Sequence, residues 1–449
     1  MLQTMLDVIA AHLAEPTARG IANAVSDAIR AGQLHEGDRL PPIREVALGL
    51  GVSPTTVSAA WALLSRAGSI RTDGRRGTTI AALTRVGPTR YRRVRESRTA
   101  FDLDLSSGVP DPDLLPDLAP SLNRLRHSPH PTDYLDEPML PELADCVAAD
   151  WPYRAERLTV ADGAMDAIDQ ICTVLLRFGD RIAVEQPAFP PLLDLLEALG
   201  MRLVPVPLDA HGPCPEALRA AVASGVSAFF LQPRGHNPTG VSMTVERARE
   251  LAGIVTAGDV VVVEDDSAGM IATSSAHSLG VWVPEKVLHV RSYSKSHGPD
   301  LRLAAVGGPA AYVDTLVERR YLGQGWTSRL LQRLLLDLLS SASARAQVAK
   351  ARDAYGERRA AVVDALASRG VEVGGTDGLN IWLPVRDESA ALVRLASIGI
   401  GAAAGAPFGI TSEQPGHLRL TTALVRSEHA AVAAQLADAA LLGPLSGRR

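Results

Sequence analysis

The sequence predicts a multidomain protein in which a small α+β domain of helices and a β-hairpin precedes a larger α/β domain with a mainly parallel sheet. The chain has 449 residues, 46% of them hydrophobic, which is enough for two or three domains with buried cores. Residues 1–100 carry 14 arginines and 8 acidic residues, whereas the remainder carries 31 basic and 42 acidic residues. From Phe101 onward, short apolar runs alternate with helical stretches, a pattern typical of a covered parallel sheet.

The charge asymmetry indicates which part of the chain contacts a polyanion. The first 100 residues have a net charge of +6 and the rest a net charge of −11, although the whole chain carries only −5. A basic domain on an acidic body indicates that only the basic domain binds nucleic acid. Three widely spaced cysteines indicate a reducing cytosol and favour neither a disulfide framework nor a metal site. Residues 1–14 predict an amphipathic helix and no membrane anchor, because they contain Asp7 and His12 within a short apolar stretch.

Three helices are predicted near the N-terminus. The first follows Thr17, and the second lies between Pro42 and Gly51. The third begins at Ser53 and Pro54, which suit an N-cap and a first helical turn. Its apolar stripe recurs at helical spacing and comprises Val57, Ala60, Trp61 and Leu64. Two short helices separated by a tight turn predict a helix-turn-helix.

Two short β-type runs follow, at residues 69–72 and 78–80, around a glycine turn that holds Arg75 and Arg76. This pattern predicts a β-wing, whose arginines can contact phosphates or enter a minor groove. In the third helix, Thr55 and Thr56 occupy the first turn, where side chains and free N–H groups can face a DNA groove.

The segments GQLHEGDRLPPIREVA (32–47) and LGVSPTTV (50–57) resemble the signature of the GntR-type winged helix-turn-helix over about residues 17–82. The resemblance implies an operator in double-stranded DNA as the partner. The residues expected to contact it are Arg44, Ser53, Thr55, Thr56, Arg66, Arg75 and Arg76. The alternative is a dimerisation domain whose arginines are only solvated. We therefore assign residues 1–82 to a DNA-binding domain and residues 83–100 to a basic linker, either a flexible tether that adds DNA affinity or a solvated spacer.

In the body, residues 101–449, four apolar runs predict strands at 181–184, 228–231, 260–263 and 287–290. Ligands collect where parallel strands end. Lys295, one of only three lysines in the chain, follows the last run among serines, with Arg302 seven residues later. A lysine in this setting suits a Schiff base beside an anchored phosphate. The carboxylates of Glu264, Asp265 and Asp266 follow the third run and suit a pyridinium nitrogen, while residues 162–165 open a helix whose N–H groups suit phosphate.

These segments resemble the fold-type I PLP-dependent aminotransferases over about residues 101–440, and so imply pyridoxal 5'-phosphate as cofactor and a smaller C-terminal α+β subdomain at about 345–449. The resemblance makes Lys295 the Schiff-base lysine, Asp265 the partner of the pyridine nitrogen and Asn237 the donor to the ring oxygen. Arg419 becomes the clamp for a substrate or effector carboxylate. Further cofactor contacts are implied for Ser292, Arg302, Phe189, Gly163, Ala164, Met165 and, from the neighbouring subunit, Tyr134.

Two positions depart from the aminotransferase pattern. The family usually has a tyrosine shortly after the aspartate, where this chain has Ser267 and Ala268. The glycine that usually follows the tyrosine corresponding to Tyr134 is replaced by the segment 137–140, EPML. The missing tyrosine weakens the expectation of fast transamination more than that of cofactor binding.

The fusion of the two parts resembles the MocR/GabR-like transcription regulators, and SSGVPD at 106–111 resembles the start of their body. This resemblance implies a cytoplasmic, head-to-tail homodimer in which PLP, with an amino acid or amine as effector, controls operator binding. A difference of about 1 to 3 kcal/mol between ligand states would suffice for such a switch. Two alternatives remain open: an active aminotransferase with a vestigial DNA-binding domain, and a DNA-binding repressor whose body is a scaffold without cofactor.

Overall fold

The computed structural model describes residues 2–31, 33–35, 37–66, 70–73, 77–80, 90, 101–126, 137–411 and 416–443. The chain divides into two compact units, residues 1–88 and 89–449. Over the described ranges, no single helix is both long and apolar enough to cross a membrane; the bent pair Ile43–Leu50 and Pro54–Ser65 meets that criterion only when its two helices are taken together.

The first unit is a helical domain with a two-stranded hairpin. Its elements are α1 (Leu2–Ala11), α2 (Ala18–Arg30), α3 (Ile43–Leu50), α4 (Pro54–Arg66), β1 (Ile70–Asp73) and β2 (Gly77–Ile80). The strands pair antiparallel, with Ile70 opposite Ile80. Each of the six elements contributes to one apolar core, which includes Ile9, Ile21, Val46, Val57, Trp61, Ile70 and Ile80.

The turn between α3 and α4 is fixed by local interactions. Gly51 ends α3 in the left-handed conformation with φ of 64°, which glycine adopts at the lowest cost. The Ser53 hydroxyl accepts a hydrogen bond from the Thr56 N–H at 3.1 Å and caps α4. The predicted helix-turn-helix, its cap and the hairpin are therefore confirmed.

The second unit contains strands in three sheets. They are β3 (Leu103–Asp104), β4 (Arg157–Ala161), β5 (Arg181–Gln186), β6 (Arg202–Asp209), β7 (Gly212–Pro213), β8 (Ala228–Leu231), β9 (Val261–Asp266), β10 (Val287–Ser292), β11 (Ala304–Gly308), β12 (Asn380–Pro384), β13 (Ile400–Gly401), β14 (Ala403–Ala404) and β15 (His417–Thr421). The largest sheet has the order β4-β11-β10-β9-β8-β5-β6-β7. Its strands β10, β9, β8, β5 and β6 run parallel, as predicted, whereas β11 is antiparallel to both neighbours.

Helices surround these sheets. They are α5 (Ala119–Leu125), α6 (Pro141–Ala148), α7 (Ala164–Leu175), α8 (Pro190–Ala198), α9 (Pro215–Ala223), α10 (Val245–Thr256), α11 (Ser294–His297), α12 (Ala310–Tyr321), α13 (Arg329–Ser340), α14 (Ala342–Ala367), α15 (Glu388–Ser397) and α16 (His429–Ala440). Helices cover both faces of the large sheet. Successive side chains of a strand point to opposite faces, so each strand contributes to the cores on both sides. In β8, Phe230 faces the core shared with α7 and α8, and Phe229 the core shared with α9 and α10.

Three strands extend beyond their predicted apolar runs, and the run at 181–184 corresponds to β5, which continues to Gln186. The runs at 260–263 and 287–290 correspond to β9 and β10, which continue to Asp266 and Ser292. The parallel ladder persists there, with Val290 opposite Asp265 and Arg291 opposite Asp266. The carboxylates that were expected after the strand are therefore its last residues, because backbone pairing continues where the side chains become polar.

The C-terminal part of the body forms a smaller layer. Strands β12, β15 and β14 pair antiparallel, and their core includes side chains of α14, α15 and α16. The entry strand β3 pairs in parallel with β13, and Leu105 lies in the same core. The beginning of the body is therefore incorporated into its C-terminal layer, which the sequence did not predict.

A buried carboxylate fixes the loop after β8. Asp377 is 2% exposed and accepts hydrogen bonds from the N–H groups of Thr273, Ser274 and Gly378 and from the Ser242 hydroxyl. Burial alone would raise the pKa of Asp377, but the hydrogen bonds from these N–H groups lower it. The loop from Gly235 to Ser242 is thereby tied to the C-terminal layer.

We expect Asp377→Asn to lower the free energy of unfolding by about 2 kcal/mol near neutral pH, because an amide cannot accept all of these bonds. The folded-state pKa lies below the unfolded value of about 4, so this stabilisation is complete above that value and is lost as the pH falls through the folded pKa. Thermal unfolding of both proteins from about pH 7 to pH 3 measures the difference. A difference that does not shrink on acidification contradicts the assignment.

Candidate cofactor-binding site

A cavity of about 250 Å³ lies where β8, β9 and β10 end. It brings together eight residues predicted from the sequence: Ala164, Met165, Phe189, Asn237, Ser292, Lys295, Arg302 and Arg419. Asp265 lies directly behind the wall, bonded to the lining residues Gln232 and Ser267. Tyr134 lies outside the described residues.

One end of the cavity is suited to an anion. Helix α7 begins here, and its N-cap Gly163 has φ of 105°. A Cβ at Gly163 would lie 3.2 Å from the Arg302 guanidinium carbon, so glycine allows this arginine to approach the helix N-terminus. The Ser292 and Ser294 side chains line the same cavity. Free N–H groups, hydroxyls and a guanidinium form a site with the chemistry of a phosphate cradle.

Lys295 lies on α11, immediately after β10, and its side chain lines the cavity. Its amine makes no hydrogen bond to any residue in the described part of the chain. Burial lowers the pKa of Lys295, while the nearby Asp265 carboxylate acts in the opposite direction. A lysine with a lowered pKa is more often the free amine, the nucleophilic form.

Two consecutive carboxylates at the end of β9 have different partners. Asp265 accepts from Gln232 Nε2 at 2.7 Å and from the Ser267 hydroxyl. Asp266 is fully buried and accepts two 2.8 Å bonds from Arg234. Burial raises the pKa of Asp265, whereas Arg234 and His289 overcome burial and lower the pKa of Asp266 well below its usual range. Successive strand residues point to opposite faces, which distinguishes Asp265 from Asp266.

The Asn237 side chain is oriented by its neighbours. Its backbone N–H donates to Gln232 Oε1 at 2.7 Å, and its Oδ1 accepts from Asn380 Nδ2 at 3.4 Å. Thr421 in turn donates to Asn380 Oδ1 at 3.1 Å. Since Oδ1 is turned toward Asn380, the Asn237 amide nitrogen remains as a donor for the cavity.

Arg419 is a buried cation at the other side of the cavity. It is 5% exposed and donates to the Ser106 carbonyl, and its guanidinium carbon lies 5.6 Å from the centre of the Phe408 ring. No carboxylate in the described part of the chain forms an ion pair with it, and its Nε has no partner there. Burial lowers the pKa of Arg419 to about 10. A buried guanidinium in this state is suited to an incoming anion.

The DNA-binding residues predicted in the first unit are only partly described. Arg44, Ser53 and Thr55 are exposed, and Thr56 is half-buried. Ser53 also serves the helix cap, so its hydroxyl has a structural role. Arg75 and Arg76 lie outside the described residues, as does the side chain of Arg66.

The arrangement fits pyridoxal 5'-phosphate. The cradle at Gly163 and Arg302 matches a phosphate, the Asp265 carboxylate matches a basic ring nitrogen, and the Lys295 amine matches an aldehyde. Arg419 adds a separate place for a carboxylate. The residues present therefore provide a partner for each polar group of this cofactor.

Sequence reasoning missed four residues of the site. Gln232 and Ser267 hold Asp265, while Asn380 and Thr421 lie behind Asn237. Gln232 and Ser267 carried a signal, because each follows a predicted strand as a polar residue. Asn380 and Thr421 carried none, because Asn380 contacts Asn237 from 143 positions away and Thr421 contacts only Asn380 in this set.

Comparisons with known proteins agree with this geometry. Residues 17–80 match the family model for bacterial regulatory proteins, gntR family, and residues 102–436 match aminotransferase class I and II. The vitamin B6 salvage pathway transcriptional repressor PtsJ of Salmonella typhimurium is 36% identical over 411 residues, which are 89% of this chain and 94% of that protein.

Two further comparisons extend these findings. The HTH-type pyridoxine biosynthesis transcriptional regulator PdxR of Corynebacterium glutamicum is 29% identical over 377 residues, 80% of this chain and 81% of that protein. A solved structure of the kynurenine aminotransferase of Pyrococcus horikoshii covers 80% of this chain and 95% of its own, with a TM-score of 0.71 and 20% identity. The structural likeness shows the fold of the body alone.

We expect substitutions of the two carboxylates at the end of β9 to have different effects, one on stability and the other on PLP binding. Asp266→Asn should lower the free energy of unfolding by about 3 kcal/mol, because it leaves the buried Arg234 without its charge partner. Asp265→Asn should change stability less but weaken PLP binding about tenfold or more. Urea unfolding without PLP and absorbance titration with PLP measure the two effects. A larger stability loss for Asp265→Asn would show that the assignment is reversed.

Proposed function

Because the chain belongs to the MocR/GabR-like regulators, which join a gntR-family domain to an aminotransferase class I and II domain, we propose that PLP controls its binding to an operator. It is a transcription regulator with PLP as cofactor. Both relatives described above are named for vitamin B6 pathways, so we assign this chain to the control of vitamin B6 genes in the cytoplasm.

The observation that carries the proposal is the cavity itself. Its lining includes Lys295, Arg302 and Ser292, with Asp265 behind the wall, in a chain that also has a helix-turn-helix, and this combination supports the proposal. When bound, PLP supplies an aldehyde that condenses with primary amines. Lys295 is proposed as the amine of this chain that reacts.

The other residues orient the cofactor. We assign the phosphate to Arg302, Ser292 and the backbone of Gly163, Ala164 and Met165, and the face of the ring to Phe189. Asp265 would keep the pyridine nitrogen protonated, and the Asn237 amide would donate to the ring oxygen. Tyr134 is assigned to the phosphate of the second subunit in a head-to-tail homodimer.

Arg419 supports an amino acid as a second ligand. Its buried guanidinium has no anionic partner in the described part of the chain, so a carboxylate entering the cavity would acquire a charge-assisted bond. An amino acid or a simple amine would each compete with Lys295 for the aldehyde of the cofactor, and only the amino acid would also bind Arg419 through its carboxylate. Either ligand changes the charge and packing of the cavity wall.

The proposed DNA contacts are those of the first unit. Arg44 is exposed on α3, Thr55 is exposed in the first turn of α4, and Thr56 lies in the same turn. We assign them, with Ser53, Arg66, Arg75 and Arg76, to the phosphates and base edges of an operator.

Helix α8 supports a route from the cavity to the linker. Phe189, Pro190 and Pro191 line the cavity at the start of this helix. Further along, Asp194 accepts a 3.0 Å bond from the backbone N–H of Arg90, and Glu197 accepts 2.7 and 2.8 Å bonds from its guanidinium. A ligand that displaces α8 therefore also displaces Arg90, the described residue of the linker.

Amino-group transfer is a second candidate function, favoured by the buried Arg419. It predicts steady turnover of an amino acid with a keto acid and no sequence-selective DNA binding. Ser267 disfavours it, because this residue stands where aminotransferases usually have a tyrosine and donates instead to Asp265.

The decisive experiment measures operator affinity with and without PLP, using DNA selected by the full-length protein from a random pool. We expect PLP to change the affinity of the wild-type protein about tenfold and to leave that of Lys295→Ala unchanged.

Borohydride should trap the cofactor on Lys295 and not on Lys286 or Lys350. Arg44→Ala should weaken DNA binding in both conditions. Affinity that stays constant across saturating PLP and all amines tested refutes the proposal.

Arg90→Ala tests the coupling route. We expect it to retain PLP binding and operator binding but to lose most of the response of one to the other, because Asp194 and Glu197 no longer hold the linker. The matched control is Arg352→Ala, which removes the same charge from a partly exposed side chain whose ion pair is with its sequence neighbour Asp353. A full PLP response in Arg90→Ala, as in the control, contradicts this route.

A further inference from the structure

The Asp265 carboxylate is held by neutral donors, although arginines are close by. Gln232 Nε2 donates to its Oδ2 at 2.7 Å, and the Ser267 hydroxyl donates to its Oδ1. The cations contact the adjacent Asp266 instead: Arg234 at 2.8 Å and Arg291 at 3.6 Å. Within the described ranges Asp265 has no ion pair. Its negative charge is therefore not paired by a described cation at the place where it lies, directly behind the cavity wall.

The orientation of the Gln232 amide follows from its partners. The backbone N–H of Asn237 can only donate, and it lies 2.7 Å from Gln232 Oε1. The amide nitrogen must then face Asp265, where a carboxylate requires a donor. Exchanging the two ends of the amide would place donor against donor and acceptor against acceptor.

The backbone of Gln232 is also fixed. Its N–H donates at 2.7 Å to Glu185, a carboxylate buried on β5. His236 Nε2 lies 3.3 Å from the same carboxylate, and its Nδ1 lies 2.8 Å from the Thr239 hydroxyl. Gln232 thus has little freedom to follow either of its partners if one of them moves.

We propose that Gln232 is a positioning residue that sets the carboxylate of Asp265 and the amide of Asn237 at a fixed separation for the two ends of the pyridine ring. This inference rests on the proposed function, which assigns the ring nitrogen to Asp265 and the ring oxygen to Asn237. One side chain serves both contacts, because its carbonyl binds the turn of Asn237 and its amide nitrogen binds Asp265. Gln232 itself does not react.

Gln232→Met removes both hydrogen bonds and keeps the length of the side chain. We expect it to weaken PLP binding about tenfold, the size of a lost bond to a charged group, at every pH from about 6 to 9. Absorbance titration of the full-length protein with PLP measures this. The same exchange at the exposed Gln33 of the first unit is the control and should leave affinity unchanged.

Gln232→Glu tests the hydrogen bond to Asp265 separately from the hydrogen bond to the Asn237 N–H. The introduced carboxylate can still accept from the Asn237 N–H, but it donates to Asp265 only while the two carboxyls share a proton. Affinity for PLP should be close to that of the wild type near pH 6 and fall by tenfold or more toward about pH 9. Lys295, Asp266, Glu185 and His236 surround the pair and are unchanged in the variant, so the wild-type profile accounts for their own titration.

A readout without cofactor makes failure of this inference distinguishable from failure of the proposed function. In the double variant with Gln232→Glu and Asp265→Asn, amide and carboxylate are exchanged, and thermal stability without PLP should recover relative to Gln232→Glu at about pH 9. If the double variant recovers thermal stability but the wild-type protein binds no PLP, the hydrogen bonds of Gln232 stand and its role toward the cofactor is overturned. Wild-type PLP affinity in Gln232→Met, or a pH-independent loss in Gln232→Glu, overturns the positioning role while the proposed function stands.

Discussion

The parallel ladder of β8, β9 and β10 is the constraint on which the site depends. Because the ladder continues to the last residue of β9, consecutive side chains must point to opposite faces of the sheet. Asp265 is thereby directed toward the cavity and Asp266 toward Arg234 and His289. A one-residue slip of β9 would exchange these environments and place the strongly paired carboxylate at the cofactor.

The sequence predicted the features that depend on residues close together in the chain. The helix-turn-helix could be predicted because its caps and turn residues are local, as at Gly51 and Ser53. Lys295 and Asn237 could be predicted to lie near one site because each comes after an apolar strand, and both line the cavity. The apolar run of β9 indicated only that carboxylates lie at its end, and Asp265 is part of the strand itself. The pairing of β3 with β13 could not, since it joins residues about 300 positions apart with no distinctive composition. The same holds for Asn380, whose contact to Asn237 joins residues 143 positions apart, and for Thr421, which donates to Asn380.

The site combines two kinds of electrostatic environment within a few residues. Beneath the sheet end, Glu264, His289, Asp266 and Arg234 pair their charges almost completely. Burial alone would lower the pKa of His289, yet the carboxylates of Asp266 and Glu264 more than compensate and raise it. In the cavity, by contrast, Lys295 and Arg419 have no ion-pair partners in the described part of the chain. The internal network is structural, whereas the two cavity side chains are suited to a ligand that is bound and released.

The attachment points of the linker have a mechanical consequence. Arg90 is fastened to α8, which packs on the core of the large sheet, whereas the chain after residue 101 enters β3, which belongs to the C-terminal layer. The segment 91–100 consequently joins two separate parts of the body. The covalent chain on either side of this segment therefore contacts the large sheet through Arg90 and the C-terminal layer through β3.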